Sequence, residues 1–204
     1  MSKIFCVLLH ILYVLKGDKS MQQLKMIRYS APVKKRELPD GYFYRMFGGT
    51  REEIEDWIKI CKNGLLPEDG GIEWYYSSIE NYPDLEPERD LFFVVDSDGK
   101  RVATSASVCH GDSTGYIHMV ASLPETRGKG IGHAMLSFAL ELIENRGVTH
   151  TVLTTDDHRL AAIKTYLDAG FLPVIYNDPE SDMEARWKKV LSEMKYPDVK
   201  FIYE

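Results

Sequence analysis

Apolar positions along this chain switch between two periods. In "TREEIEDWIKICKNG" (50–64), Ile54, Trp57, Ile58 and Cys61 recur at the spacing of one helical face, Thr50 and Glu53 spell a capping box, and Gly64 is a stop. "GIEWYYSSIENY" (71–82) predicts a second helix with Ile72, Tyr75, Tyr76 and Ile79 on one side. Ahead of both, "PVKKRELPDG" (32–41) is a charged loop and "GYFYRMF" (41–47) a strand. Short apolar runs follow. "LFFVV" (91–95), "RVATSASVCH" (101–110) and "YIHMVASL" (116–123) are joined by the turns "DSDGK" and "GDSTG", which predicts an antiparallel meander. Helical spacing returns at Ile131, Met135, Phe138, Leu142 and Ile143 and stops at Gly147. A strand "THTVLTT", a helix "HRLAAIKTYLDAG" and a strand "FLPVIY" come next. The helix "SDMEARWKKVLSEM", with Ser181 as cap and Glu184 at the capping-box position, and an edge strand "VKFIY" complete the order. An antiparallel front half and an alternating rear half make a mixed α/β (α+β) fold.

Composition narrows the function classes. A chain of 204 residues fits one domain, expected over 26–204, preceded by an appendage over 1–25. The net charge of −6 argues against a surface that tracks phosphates, so no nucleic-acid partner is expected. Cys6, Cys61 and Cys109 are an odd count without C-x-x-C spacing, which fits neither a disulfide framework nor a metal site and suits a reducing cytoplasm. The opening run Ile4 to Leu15 is apolar apart from His10 but falls short of the roughly 20 residues of a membrane span. No small-residue cleavage site follows it, so no membrane role is expected; an appended helix or an upstream start before Met21 or Met26 accounts for it.

The chemistry lies in "LPETRGKGIGHAM" (123–135), where glycines open a helix although each costs backbone entropy. A strand running through glycines into a helix N-terminus is an anion site, because unpaired N–H groups and the helix dipole face a ligand that can come close to the main chain. A P-loop is excluded, since Lys129 is followed by Gly130 and position 124 is Pro; a dinucleotide fingerprint is excluded by His133 at its last glycine. What matches is Arg127-x-x-Gly130-x-Gly132, and further on Ala162, Tyr166, Gly170 and Phe171 at fixed spacings. In these two motifs the chain resembles the GCN5-related N-acetyltransferase (GNAT) superfamily. The likeness covers about residues 41–177 in element order and 123–171 in spelling. It departs at Arg159, where the family often has asparagine.

The resemblance implies a mainly antiparallel central sheet flanked by helices, with strands splayed where acetyl-CoA binds. It implies direct transfer of an acetyl group from acetyl-CoA, as co-substrate, to a primary amine of a small molecule or peptide. The other readings are a CoA-binding sensor that has lost catalysis and an acyltransferase using a longer acyl chain. Gly128, Lys129, Gly130, Ile131, Gly132 and His133 would hold the diphosphate with Arg127, while the main chain of Val120, Ala121 and Ser122 pairs with the pantetheine. One N–H there would polarise the thioester carbonyl. Arg159 and Ala162 would flank the cofactor. Tyr166 is the candidate general acid and His118 the candidate base or relay, with Asp156 and Asp157 as alternatives. Trp57, Trp74, Tyr75 and Tyr76 beside Glu52, Glu53, Glu55, Asp56 and Glu73 could receive a cationic amine, although such helical spacing more often marks core plus a solvated face. Homodimerisation is left open.

Overall fold

A computed structural model describes residues 22–204 apart from 179 and 197. The meander forms as expected. Strands β2 (Tyr42–Met46), β3 (Leu91–Asp96), β4 (Arg101–Cys109) and β5 (Thr114–Ser122) pair in order, each antiparallel to the next. Strand β1 (Leu24–Tyr29) has no counterpart in the sequence reading. It lies antiparallel between β6 (His150–Thr155) and β7 (Leu172–Ile175), with β8 (Ile202–Tyr203) at the far edge, so the eight-stranded order is β2-β3-β4-β5-β6-β1-β7-β8. Its "LKMIRY" lacks the alternation of a half-exposed strand because it is covered on both faces, and even Arg28 is buried, its guanidinium spent on Glu144 and the carbonyls of Ala31 and Ala169. The expected appendage lies, up to residue 21, outside the described residues.

Helix α1 (Arg51–Cys61) starts on the predicted capping box: Thr50 Oγ1 accepts from the Glu53 amide, and Glu53 accepts from the Thr50 amide at 3.1 Å. The next helix departs from expectation. Helix α2 (Ile72–Tyr75) runs straight into a π-helical turn (Tyr76–Glu80), which changes which side chains share a side. Tyr75 and Ile79 are buried, whereas Ile72 and Tyr76 are 43% and 45% exposed. The short α3 (Pro87–Asp90) ends on Asp90, a fully buried carboxylate held by Arg89 and by Arg146 from beyond α4 (Ile131–Glu144). Helices α5 (Leu160–Asp168) and α6 (Met183–Glu193) complete the fold. The cap of α6 is Asp182 rather than Ser181, whose Oγ accepts from the Met183 amide; Glu184 pairs with Lys188 instead of closing a capping box.

Strands β5 and β6 are parallel neighbours, yet they pair only over Thr114–Tyr116 and His150–Val152 and then diverge. Gly115, expected in a turn, sits at the closed end of this V. A Cβ there would come within 2.4 Å of Ile143 and 2.8 Å of Thr151, so only glycine lets α4 press against the strand pair at the vertex. The open end of the V points to the start of α4, where the glycine-rich turn lies.

Candidate active site

Past β5 the chain makes one 3-10 turn (Pro124–Thr126), then adopts left-handed conformations at Gly128 (φ 74°) and Gly130 (φ 81°), where L side chains are strained. Gly130 caps α4 without any side-chain hydrogen bond. The Arg127 and Lys129 amides are spent on the carbonyls of Pro124 and Thr126. Those of Gly128, Gly130, Ile131, Gly132 and His133 meet no acceptor among the described residues. A Cβ built on Gly128, Gly130 or Gly132 meets nothing within 4 Å, so the space before these amides is open. Open donors, the positive end of a helix dipole and main chain bare of side chains fit a diphosphate.

The flanking cations differ in what they do. Arg127 is exposed and has no ion pair among the described residues. Lys129 Nζ donates to the Tyr42 hydroxyl at 2.9 Å and sits 5.5 Å from its ring centroid, which folds it back along the turn. His133 Nε2 lies 3.1 Å from Asp168, so the first turn of α4 is tied to the last turn of α5.

One arm of the V carries a β-bulge. Thr104 pairs with Ala121 and Ala106 with His118, so Met119 and Val120 together face Ser105, and Met119 takes φ 52°. A bulge interrupts the ladder and leaves main-chain groups of the extra residue unpaired, here between His118 and the Val120–Ser122 stretch. The His118 ring stacks on Tyr82 (4.1 Å between centroids), and its Nε2 is 2.8 Å from the Ser78 carbonyl supplied by the π-helical turn. A carbonyl only accepts, so Nε2 carries the proton. Neither Tyr82 nor Ser78 was legible as a partner of His118, because an interrupted helix brings them there.

On α5, the helix that follows β6, Tyr166 is 6% exposed and packs its ring edge-on to Phe171. The spacing places it on a ligand-facing stripe with Ala162, but it shares the buried side of α5 with Ile163, and Ala162 is half-buried. Its hydroxyl has no hydrogen-bond partner among the described residues and is not sealed from solvent. Burial pushes its pKa up to about 12, with Arg159 pulling the other way and Tyr116 adding to the rise. Arg159 is the residue before α5, and its Nη2 reaches the Gly64 carbonyl at 2.8 Å and Asp156 at 2.7 Å. It therefore links the end of β6 to the turn after α1, a helix packed on β4 and β5.

Other candidates are committed elsewhere. Asp157 is held below the usual carboxylate range by hydrogen bonds from Arg186, and Asp156 receives Gln23 and Arg159. Glu52, Glu53 and Asp56 surround Arg101, and Trp57 and Tyr75 are core residues, whereas Glu55, Glu73 and Tyr76 of the same region are exposed. His110 bonds Asp84, and burial raises the Cys109 thiol. Among the described residues no His/Cys/Asp/Glu group could hold a metal, and no helix is long and apolar enough to cross a membrane.

A family model described as the acetyltransferase (GNAT) family matches residues 51–171. Among curated proteins the chain is similar to mycothiol acetyltransferases of Beutenbergia cavernae (29% identical, covering 67% of this chain and 47% of that one) and Streptomyces griseus (27%, 79% and 54%). It spans about half the length of these relatives. Among solved structures, a GCN5-related N-acetyltransferase from Sphaerobacter thermophilus superposes with a TM-score of 0.61 at 22% identity over 80% of this chain and 52% of the other. At that identity the likeness concerns the fold. A NatC complex bound to Gag peptide and CoA superposes at 0.54, with 21% identity over 64% of this chain and 84% of the other.

Proposed function

We propose, given that the chain belongs to the acetyltransferase (GNAT) family, that it transfers an acetyl group from acetyl-CoA directly to a primary amine of a small molecule or peptide. The family match spans residues 51–171, and the transfer, the acceptor class and the residue roles together make up the proposal. The observation that carries it is the row of open amides at Gly128, Gly130, Ile131, Gly132 and His133 where β5 and β6 part.

Bound acetyl-CoA supplies an activated acyl group on a thiol leaving group. The residues of this chain do the rest. The amides hold the diphosphate, and Arg127 adds a charge from the turn. Main-chain groups of Val120–Ser122 run beside the pantetheine, and a donor at the bulge faces the thioester oxygen where negative charge develops. A lysine-type amine has a pKa of about 10.4 and must lose a proton to attack. His118, its ring oriented by the 2.8 Å contact with the Ser78 carbonyl and the stack on Tyr82, is the group that draws this proton away. The ammonium gives one proton to His118 before attack; attack forms the C–N bond and breaks the C–S bond, and the second proton lost from the nitrogen ends, through solvent, on the departing thiolate. Tyr166 lies on α5, the helix that follows β6. Its raised pKa keeps its proton in place at neutral pH, but thiols ionise at about 8.5, so Tyr166 acts by donating a hydrogen bond to the departing sulfur rather than by full proton release.

The test is thiol release from acetyl-CoA with a panel of amines that includes the acceptor of the mycothiol acetyltransferases, with the product mass read alongside. Acceptor-dependent release with a two-carbon mass gain is expected; binding of acetyl-CoA without turnover on any amine would count against the transferase reading. His118→Gln should lower kcat/KM for the acceptor by about 10²-fold, the usual scale of general base catalysis, with acetyl-CoA affinity unchanged by calorimetry. An unaltered kcat/KM would return His118 to a structural role.

A further inference from the structure

Residues 31–41 carry a run of cations, Lys34, Lys35 and Arg36, all exposed, in a chain of net charge −6. The run lies upstream of the family match, which begins at residue 51. It is seated against α4: the Arg36 amide donates to Ser137 Oγ at 3.0 Å, and Ser137 Oγ lies 3.3 Å from the Arg36 carbonyl. Ser30 bonds Glu144 near the far end of the same helix, and Tyr42 receives Lys129 of the glycine turn. The segment between β1 and β2 thus climbs α4 toward its N-terminus.

Between this segment, α4 and α5 lies a cavity lined by Lys34, Arg36, His133, Ser137, Thr165 and Asp168 among others. At about 80 Å³ it is far smaller than the roughly 300–1,000 Å³ of a small-molecule pocket, so it takes one compact group. The charge of that group follows from the lining. Lys34 and Arg36 have no ion pair among the described residues, whereas Asp168 is already paired with Lys164 and lies 3.1 Å from His133. His133 also belongs to the first turn of α4, where the open amides are, so the cavity continues from the diphosphate site.

We propose that Lys34 and Arg36 bind the 3′-phosphate of coenzyme A, and so select phosphorylated CoA over its 3′-dephospho form. This rests on the acetyl-CoA reading above. Lys35 is the internal control: it is 3.9 Å from Glu37 and does not line the cavity.

The experiment is calorimetry with CoA and 3′-dephospho-CoA on the full chain, on the double variant Lys34→Gln/Arg36→Gln and on Lys35→Gln. All three side chains are exposed, and Arg36 is anchored through its backbone, so the variants keep the fold. Wild type should prefer CoA by about tenfold or more, the scale of charge-assisted phosphate contacts. The double variant should bind CoA as weakly as wild type binds dephospho-CoA, with dephospho-CoA affinity unmoved, and Lys35→Gln should keep the preference. An equal CoA to dephospho-CoA ratio in wild type and double variant, or an equal loss in Lys35→Gln, overturns the 3′-phosphate site alone. Failure of wild type to bind either nucleotide overturns the acetyl-CoA reading and this site with it.

Discussion

Gly130→Glu should lose at least about 100-fold in acetyl-CoA affinity, as read by calorimetry, while remaining folded. Two effects act on binding with the same sign. Gly130 stands at φ 81°, a conformation that costs a residue with a Cβ about 1–2 kcal/mol, so the turn is free to relax away from its amide-presenting shape. The new carboxylate would also face the open N–H groups of Gly132 and His133, cap them in the manner of an N-terminal acidic residue and repel the diphosphate. For stability the same two effects oppose each other, strain against a gained cap, and the added side chain meets nothing within 4 Å. Binding should therefore fall much further than melting temperature. Gly130→Asn, neutral and tolerant of left-handed backbone, should retain most of the affinity. Equal affinity in wild type and Gly130→Glu would remove the diphosphate from this turn.

Tyr166→Phe should lower kcat by about 10²-fold and leave the acetyl-CoA dissociation constant unchanged, the pattern of an interaction made mainly in the transition state. The reason lies in the separation of ring and hydroxyl. The ring packs on Phe171 and is kept by Phe; the hydroxyl has no protein partner to orphan. Unfolding free energy near pH 7 should change by less than about 1 kcal/mol. A loss of stability with unaltered turnover would instead mark Tyr166 as a packing residue. Alkaline stability supplies a second readout. The hydroxyl titrates at 10.0 in the unfolded chain and at about 12 when folded. The unfolded state therefore sheds its proton first, and the stability present below 10 drains away as pH rises toward 12. Tyr166→Phe should lose less stability than wild type across that interval in equilibrium denaturation at stepped pH.

Local signals in the chain reached as far as local causes do. The capping box at Thr50 and Glu53, the Asp-Gly turn before β4 and the glycines around α4 each act within a few residues, and each appears where its spelling places it. Strand β1 escaped because a strand covered on both faces loses alternation, and its place between β6 and β7 depends on partners more than 100 residues away. The helix over 71–82 was half legible: an ordinary α period accounts for Ile72 to Tyr75, but the π-helical turn that hands the Ser78 carbonyl to His118 arises in tertiary packing. Tyr166 was found through its spacing to Ala162, Gly170 and Phe171, whereas its burial and raised pKa come from the ring's seat in the core. Arg159 went the other way: its position was legible, its partner Gly64 was not.

By itself, then, the sequence determined the element order and the anion-facing character of the turn at 127–133, because glycine conformation, capping and helix polarity are short-range properties written in adjacent residues. Tertiary structure alone decided that β5 and β6 part beyond Tyr116, that the π-helical turn hands a carbonyl to His118, and that Lys34 and Arg36 share a cavity with His133. Those are meetings of segments far apart in the chain, fixed by the burial of the whole sheet rather than by any local pattern.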